Sequence, residues 1–288
     1  MERKYCDLHT HTIYSDGTYT PAELVGEAEK IGLSALALCD HNTVSGIPDF
    51  LRAAEGSSVE AVAATELSTD YCGKELHIIG MFIRPEHFPA IEELVENMRR
   101  EKETSYKNLI ARLSADGYRL DYDEIVKNSG DGRINRAHIA EALMKEGYVE
   151  SISAAFKSLL SKNGGYYKEP QYIQTLSAIS FLKSIGAVVV LAHPYLSLCD
   201  DELRELIPKA KAAGLDAMET IYSKYSEETT ALARKTAREF DLLESGGSDF
   251  HGERKPDIAL GVGRGSLRVP TEFFELLKKR RDETAVTL

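Results

Sequence analysis

The sequence predicts an α/β fold, a closed β/α barrel that carries an all-helical insertion. Short apolar runs alternate with helical patterns in both halves of the 288-residue chain, and that alternation is typical of a parallel β-sheet. About seven such units are enough to close a barrel, with its chemistry at the carboxyl ends of the strands. Residues 97–168 keep helical spacing, and no strand-like apolar run interrupts them. We therefore expect residues 1–96 and 169–288 to form the barrel and residues 97–168 to form the insertion.

The first half of the barrel begins with a strand that ends in the motif His9-Thr10-His11. Thr20 is a suitable helix cap and Pro21 suits a first helical turn, so we expect a helix to begin there. The continuous apolar run up to Cys39 is typical of a strand buried on both faces. These patterns predict helices at 21–32 and 47–55 and strands at 33–39, 59–64 and 75–83.

The insertion and the second half of the barrel follow by the same reasoning. Helical spacing dominates residues 89–160, with separate helices at 136–148 and 151–160. Beyond the insertion, apolar runs again alternate with helical patterns. The predicted strands are 187–192, 216–220 and 242–245, and the predicted helices are 176–185, 201–213, 227–240 and 272–281.

The composition argues against several classes of protein. A formal net charge of −11 disfavours a broad nucleic-acid groove or an anionic membrane surface as the partner. No apolar run reaches transmembrane length, and residues 1–4 lead directly into the first strand, so we expect neither a membrane span nor a signal peptide. The four cysteines form no C-x-x-C pair and are expected to be reduced thiols. The expected location is the cytoplasm.

Histidines and acids are concentrated at the predicted strand ends. Strand ends are often polar, but that alone explains poorly why six of the eight histidines occur in this set. In a barrel the strand ends form one rim, so residues far apart in sequence meet there. Imidazole and carboxylate ligands without thiolate suit Mn²⁺, Fe²⁺ or Zn²⁺. The candidate metal ligands are His9, His11, His41, Glu66, His193, Asp249 and His251 at strand ends, His77 on a strand and Asp16 in the first loop.

Seven short motifs of this chain resemble those of the PHP (polymerase and histidinol phosphatase) superfamily. They are D-L-H-T-H, S-D-G-T, C-D-H-N, T-E, H-x-x-G at His77, A-H-P and G-S-D-F-H, in the family's order over nearly the full chain. The most similar branch contains small-molecule and nucleotide phosphoesterases with a helical insertion. The resemblance implies a distorted seven-stranded β/α barrel with three divalent metal ions. It assigns His9, His11, Glu66 and Asp249 to one ion, Glu66, His77 and His193 to a second, and Asp16, His41 and His251 to a third.

Two further acids, Asp7 and Asp40, lie just inside their strands. Either they orient the imidazoles of the metal ligands or they are ordinary acids at strand ends. The metal ions themselves would reconcile an acidic protein with an anionic substrate. Three ions would bring about +6 and three ligand carboxylates would subtract three, which leaves about +3 at the mouth of the barrel.

The ligand set and the resemblance together predict a metal-dependent phosphoesterase. We expect hydrolysis of a phosphate monoester by in-line attack of a metal-bridging hydroxide, without a covalent nucleophile from the protein. The family branch implies a small phosphorylated substrate, a nucleoside 3',5'-bisphosphate. The alternatives are a 5'-to-3' exonuclease on short RNAs, a histidinol-phosphate-type phosphatase and a metal-binding accessory module without catalysis. A long nucleic acid is not an expected partner.

Three residues of the insertion are candidates for binding the substrate. Residues 97–168 contain thirteen Lys or Arg and ten Asp or Glu, so the insertion suits a lid over an anionic group. Arg136 and His138 match an R-x-H element that opens a helix in the similar family branch, where Arg136 could bind phosphate through two donors. Lys162 is the third candidate. The alternatives are solvated side chains for Arg136 and Lys162 and helix packing for His138.

Overall fold

The computed structural model describes residues 5–129, 134–161, 164–167 and 173–285. The chain divides into two compact units, one of Met1–Glu93 with Ile173–Leu288 and one of Leu94–Tyr172. The first unit contains the β-sheet, and the described residues of the second unit are helical, with no strand among them. No helix within the described ranges is long and apolar enough to cross a membrane.

The sheet of the first unit has eight strands. They are β1 (Tyr5–Thr10), β2 (Ala35–Leu38), β3 (Glu60–Tyr71), β4 (Lys74–Met81), β5 (Val188–Ala192), β6 (Ala217–Tyr222), β7 (Leu243–Gly247) and β8 (Val269–Pro270). Their order in the sheet is β7-β6-β5-β4-β3-β2-β1-β8. The two-residue β8 is an antiparallel addition to β1.

The ends of the sheet meet and close the barrel. The amide of Asp249 donates to the carbonyl of His9 at 2.8 Å, and the amide of His11 donates to the carbonyl of Phe250 at 3.0 Å. Gly247 allows β7 to come this close, because a Cβ at that position would lie 2.4 Å from the Cβ of His9. The predicted distorted seven-stranded β/α barrel is therefore confirmed.

Ten α-helices accompany the strands in the described residues. They are α1 (Pro21–Ile31), α2 (Ile47–Ala53), α3 (Phe88–Ala115), α4 (Tyr122–Asn128), α5 (Arg136–Lys145), α6 (Ile152–Lys157), α7 (Thr175–Ser184), α8 (Asp200–Ala213), α9 (Glu227–Glu239) and α10 (Thr271–Ala285). α1 begins where the sequence predicts. Thr20 and Glu23 cap each other reciprocally at its start, and Gly32 ends it with a φ of 80°.

The alternation of strands and helices predicted a parallel sheet, and this prediction is wrong for part of the sheet. The strand predicted to end at residue 64 continues to Tyr71, and β4 runs antiparallel to both β3 and β5. Cys72 and Gly73 both have positive φ angles, 53° and 79°, and two such residues make a tight turn whose twist matches that of the paired strands. As a consequence, the beginning of β4 lies at the rim where the parallel strands end.

Apolar side chains fill the inside of the barrel. Leu36 and Leu38 of β2 point outward and pack with the α1 and α2 side chains, so the alternate residues face inward. The interior cluster comprises Cys6, Leu8, Ala35, Ala37, Cys39, Val62, Ala64, Ile79, Met81, Val188, Val190, Ala192, Ala217, Leu267 and Val269, with Phe273, Phe274 and Leu277 of α10. Glu66 lies two positions beyond Ala64 and therefore faces the same interior.

A separate apolar core holds the helical unit together. Tyr106, Leu109 and Leu113 of α3 share it with Ile139 and Leu143 of α5. These residues recur at three- and four-residue spacing, as expected of helices that bury one face.

Candidate metal centre

The nine predicted metal ligands all lie in the barrel unit, and the structure brings them together at one rim. Every one of them belongs to at least one of four groups whose potential ligand atoms lie within 4.8 Å of one another. The groups are His11, Asp16, His41 and His251; His9, Glu66 and His193; His9, His11 and Asp249; and His41, Glu66 and His77. Residues separated by more than 200 positions in sequence thus become neighbours.

Glu66 lies at the centre of this arrangement. It is fully buried in β3, and its two carboxylate oxygens face five imidazoles from four segments of the chain. The distances from Glu66 to these nitrogens are 3.1 Å for His9, 3.4 Å for His11, 3.1 Å for His41, 2.9 Å for His77 and 3.1 Å for His193. Burial alone would raise the pKa of Glu66, but the nearby imidazoles outweigh it and hold that pKa well below its ordinary value.

The side of the cluster nearest the first loop is more open. Asp16 is 43% exposed and lies 3.1 Å from His251 Nε2, 3.9 Å from His11 Nδ1 and 4.0 Å from His41 Nε2. Burial lowers the pKa of His11 to about 3, so its imidazole is neutral near pH 7 and suited to metal binding. Each of four residues, His9, His11, His41 and Glu66, belongs to two of the four groups, so the potential ligand atoms form one continuous cluster.

Asp249 connects the cluster to two groups that the sequence did not identify. Its Oδ1 lies 3.3 Å from His11 Nε2 and 3.4 Å from His251 Nδ1. Its Oδ2 accepts hydrogen bonds from the Tyr222 hydroxyl at 2.8 Å and from Lys255 Nζ at 2.7 Å. Tyr222 is an aromatic residue in an apolar strand and Lys255 one lysine in a loop, so neither has a motif that would have marked it.

The donor atoms themselves indicate whether divalent ions fit here. Buried polar atoms without a hydrogen-bond partner are rare and cost about 1–3 kcal/mol each. Six atoms of the predicted ligands are buried and lack such a partner within the described residues: His9 Nε2, both ring nitrogens of His11, His41 Nδ1, Glu66 Oε2 and His251 Nε2. Cations would satisfy these imidazole and carboxylate atoms together, so the residues fit a metal cluster.

Asp7 and Asp40 hold the backbone of the rim loops and not the imidazoles. Asp7 accepts hydrogen bonds from the amides of Ser248 and Gly261, both at 2.8 Å. Asp40 accepts from the amide and hydroxyl of Thr12 at 2.8 and 2.6 Å and from the hydroxyl of Ser15 at 2.6 Å. The first of these carboxylates fixes the segment before Asp249, and the second fixes the loop that carries Asp16.

An acid that the sequence reasoning missed contacts an imidazole directly. Glu219 of β6 is fully buried, and its Oε1 lies 2.9 Å from His9 Nδ1. Burial opposes the charged form of His9, but the carboxylates of Glu219 and Glu66 outweigh it and raise the pKa of His9 well above its ordinary value. In sequence Glu219 is one of several acids in the predicted strands, as Asp216 and Glu244 are, so no sequence signal singles it out.

Two of the rim residues have an uncommon backbone conformation. His193 has a φ of 28° and Asp249 a φ of 57°, a region that residues with side chains seldom adopt. Such residues each cost on the order of 1–3 kcal/mol and tend to cluster at functional sites. Here they occur just after β5 and β7 end, where the side chains of His193 and Asp249 turn toward the cluster.

The predicted substrate-binding residues lie outside the barrel unit. Arg136 is the first residue of α5, and its guanidinium lies 4.4 Å from the ring centre of Tyr167. His138 Nδ1 accepts a hydrogen bond from the amide of Asn135 at 3.3 Å and so caps the same helix. His138 also lines a cavity of about 610 Å³ within the helical unit. Lys162 lies outside the described residues.

Comparisons with known proteins agree with this geometry. The PHP domain family model matches residues 7–178. A 5'-3' exoribonuclease of Haemophilus influenzae is 33% identical over 252 residues, which cover 87% of this chain and 91% of that protein. A 3',5'-nucleoside bisphosphate phosphatase of Chromobacterium violaceum is 27% identical over 256 residues, covering 88% and 90%. A solved structure of a proposed metal-dependent phosphoesterase from Bifidobacterium adolescentis has a TM-score of 0.70 and 30% identity, and covers 96% of each chain.

Proposed function

The chain belongs to the PHP domain family and is a metal-dependent phosphoesterase, and from that premise we propose that it hydrolyses a phosphate monoester of a nucleoside 3',5'-bisphosphate. The observation that carries the proposal is the rim cluster of six imidazoles and three carboxylates around Glu66. The name of the Chromobacterium relative supports the choice of substrate.

In this proposal the cluster holds three divalent ions, of Mn²⁺, Fe²⁺ or Zn²⁺, through the nine predicted ligands. When bound, such ions activate water and neutralise phosphoryl oxygens. The protein's own part is to fix the ligand atoms. The hydrogen bonds from Tyr222 and Lys255 hold one oxygen of Asp249, so its other oxygen keeps a constant direction toward the cluster.

Lys255 also has a place in substrate binding under this proposal. Its side chain is 28% exposed although its ammonium group lies 2.7 Å from a cluster carboxylate. A cation at this position can contact an oxygen of the phosphate that approaches the rim. It would thereby add a positive charge beside the ions, where the anionic substrate needs it.

The second phosphate of the substrate is assigned to Arg136. Its guanidinium is flanked by the rings of Tyr167 and Phe156, at 4.4 and 5.6 Å. Aromatic neighbours keep a guanidinium group in place while its N–H donors remain able to bind a phosphate. His138 and Lys162 are proposed as weaker contacts to the same anion. For His138, the hydrogen bond from Asn135 occupies Nδ1, so a substrate contact would use Nε2.

A second candidate is a 5'-to-3' exoribonuclease acting on short RNAs. It is favoured by the 33% identity with the Haemophilus influenzae exoribonuclease over 87% of this chain. Both candidates use the same metal centre, and they differ in how far the substrate extends from the hydrolysed phosphate.

A panel of four substrates tests the proposal. The metal-loaded protein is incubated with a nucleoside 3',5'-bisphosphate, a 5'-phosphorylated oligoribonucleotide, histidinol phosphate and an aryl phosphate, and products are followed by chromatography and phosphate release. We expect the bisphosphate to have the highest kcat/KM. Mononucleotides accumulating faster from the oligonucleotide would favour the exoribonuclease, and a lack of hydrolysis with all four would contradict an enzymatic role.

A further inference from the structure

Glu219 lies beside the predicted metal ligands but belongs to none of the four ligand groups. Its two carboxylate oxygens have different partners. Oε1 lies 2.9 Å from His9 Nδ1, and Oε2 accepts a hydrogen bond from the backbone amide of His193 at 2.8 Å. One buried side chain on β6 therefore contacts a ligand on β1 and a ligand just after β5.

The contact with His9 determines which ring nitrogen faces the cluster. The carboxylate oxygen Oε1 accepts the hydrogen bond from the imidazole, as carboxylate partners of metal-binding histidines commonly do, so Nδ1 of His9 carries a hydrogen. The other nitrogen, Nε2, lies 3.1 Å from Glu66 Oε2 and 3.8 Å from Asp249 Oδ1. A cation that takes the place of the proton on Nε2 would find the lone pair of that nitrogen directed into the cluster, while the hydrogen on Nδ1 stays with Glu219.

The contact with His193 acts on the backbone. His193 has a φ of 28° and a ψ of 51°, and this left-handed conformation is costly for a residue with a side chain. The hydrogen bond to Glu219 stabilises it. In this conformation the His193 ring stacks on that of His9, with centroids 5.6 Å apart and planes at 15°, and its Nε2 lies 3.1 Å from Glu66 Oε1.

We propose that Glu219 is a positioning residue for the metal centre: it sets the tautomer and orientation of His9 and the backbone conformation of His193, and so strengthens binding of the ions that these two histidines hold. The inference rests on the proposed metal cluster. It concerns only the residues that hold the ions, so it is independent of which phosphate ester is the substrate.

Substitution of Glu219 by Gln tests this role. A glutamine side chain has one acceptor oxygen and one NH₂ group, so it cannot accept from both His9 Nδ1 and the His193 amide. Loss of such a partner weakens metal binding by about 10–100-fold, and we expect a drop of this size in Zn²⁺ affinity, measured by competition with a chromophoric chelator. Equal Zn²⁺ affinity in the wild type and Glu219→Gln would overturn the inference.

Glu244→Gln is the matched control. Glu244 lies on the adjacent strand β7, and it binds Thr220 and Arg234 and not a metal ligand. The substitution changes the same chemical group in the same sheet but leaves the contacts of the proposed ligands intact. We therefore expect the Zn²⁺ affinity of Glu244→Gln to remain within about twofold of the wild type. A Glu244→Gln variant weakened as much as Glu219→Gln would also overturn the inference, since the effect would then be general to the sheet.

A measurement on the wild type tests the predicted tautomer of His9 even if Glu219→Gln does not fold. Long-range ¹H–¹⁵N spectra of Zn²⁺-loaded, ¹⁵N-labelled protein report which ring nitrogen of each histidine carries hydrogen. We expect hydrogen on Nδ1 of His9 and none on Nε2; the reverse pattern would overturn the inference. A wild-type protein that binds no Zn²⁺ would contradict the proposed metal centre itself and this inference with it, whereas unchanged affinity in the variant contradicts only the role of Glu219.

Discussion

Asp249 uses its two carboxylate oxygens for different purposes. Oδ1 faces His11 and His251, whereas Oδ2 accepts hydrogen bonds from Tyr222 and Lys255. In Asp249→Ala the cluster loses one proposed ligand oxygen and Lys255 loses its carboxylate partner. We expect kcat/KM to fall by more than about 100-fold on every ester in the panel, beyond the loss caused by removing a partner that only orients a ligand. Steady-state kinetics with metal-loaded protein measures this.

Asp257→Ala is the control for that experiment. Asp257 lies in the same loop region, but its side chain is 58% exposed and pairs with Arg264. Exposed ion pairs contribute little to the stability of the fold. We therefore expect the kcat/KM of Asp257→Ala to match that of the wild type. An Asp249→Ala variant with near-normal turnover on the aryl phosphate would show that Asp249 is not part of the hydrolytic centre.

At the level of single residues, sequence identified the side chains with distinctive chemistry and missed those without it. Histidines are few, and six of the eight fall at predicted strand ends or on a strand, so their convergence could be predicted. Glu219 and Glu244 look alike in sequence, each a single acid in a short strand. Only the fold separates them, because Glu219 faces the inside of the barrel and Glu244 binds Arg234 of α9.

At the level of elements, helix and strand locations were predicted well and strand direction was not. α1, α8 and α9 begin within one residue of their predicted starts, because caps and apolar spacing are local signals. The direction of β4 depends on a turn at Cys72-Gly73, which lacks the Asn-Gly or Asp-Gly pair that marks such hairpins. Glu66 therefore lies within a long strand and not at the end of a short one.

The cap of α1 gives a test of local stability. The Thr20 hydroxyl oxygen accepts a hydrogen bond from the Glu23 amide at 3.3 Å, and the Thr20 amide donates to the Glu23 carboxylate at 2.8 Å. Thr20→Ala should reduce the free energy of unfolding by about 1 kcal/mol, measured by urea titration. The same substitution at Thr230, inside α9, removes no cap and should be neutral or slightly stabilising because alanine is the better helix former. Equal losses at both positions would contradict a capping role for Thr20.

The proposed role of α5 in the substrate site predicts a selective defect. Arg136→Ala should lower kcat/KM for the nucleoside bisphosphate by about 10–100-fold, the value of one charged hydrogen-bonding partner, and should change hydrolysis of the aryl phosphate by less than about twofold. Arg100→Ala, which alters a 70% exposed arginine of the helical unit, should leave both substrates unaffected. Equal losses on both esters would remove Arg136 from the binding of a second phosphate.

At the scale of the whole molecule, metal binding should be a source of stability. Six buried atoms of the proposed ligands lack hydrogen-bond partners within the described residues, so we expect the metal-free protein to carry a cost that bound cations would remove. At a free Zn²⁺ concentration 100 times the Kd, mass action stabilises the native state by about 2.7 kcal/mol per site. We expect chelation to lower the Tm by several degrees and Zn²⁺ to restore it, as followed by circular dichroism. The shift should be smaller in Asp249→Ala; an equal shift would place the stabilising ions elsewhere.

The other end of the barrel carries stability without chemistry. Phe274 of α10 is 2% exposed and packs into the interior cluster. Phe274→Ala should reduce the free energy of unfolding by about 3–5 kcal/mol, measured by urea denaturation, while the folded protein keeps its Zn²⁺ affinity. Leu276→Ala on the same helix, at a residue 42% exposed, should have little effect. A loss of Zn²⁺ affinity in folded Phe274→Ala would show that the bottom of the barrel affects its rim.

The β3–β4 hairpin has a consequence for the order of folding. Glu66 and His77 are only 11 residues apart and belong to one hairpin, and hairpins form within about 1–10 μs. The contact between Asp7 and Ser248, by contrast, spans 241 residues, and such long-range closure is slow because of its entropy cost. During synthesis the first six proposed ligands leave the ribosome well before Asp249 and His251. We therefore expect the Glu66–His77 pair to form early and the complete site to appear only when β1 and β7 meet, in the last stage of folding.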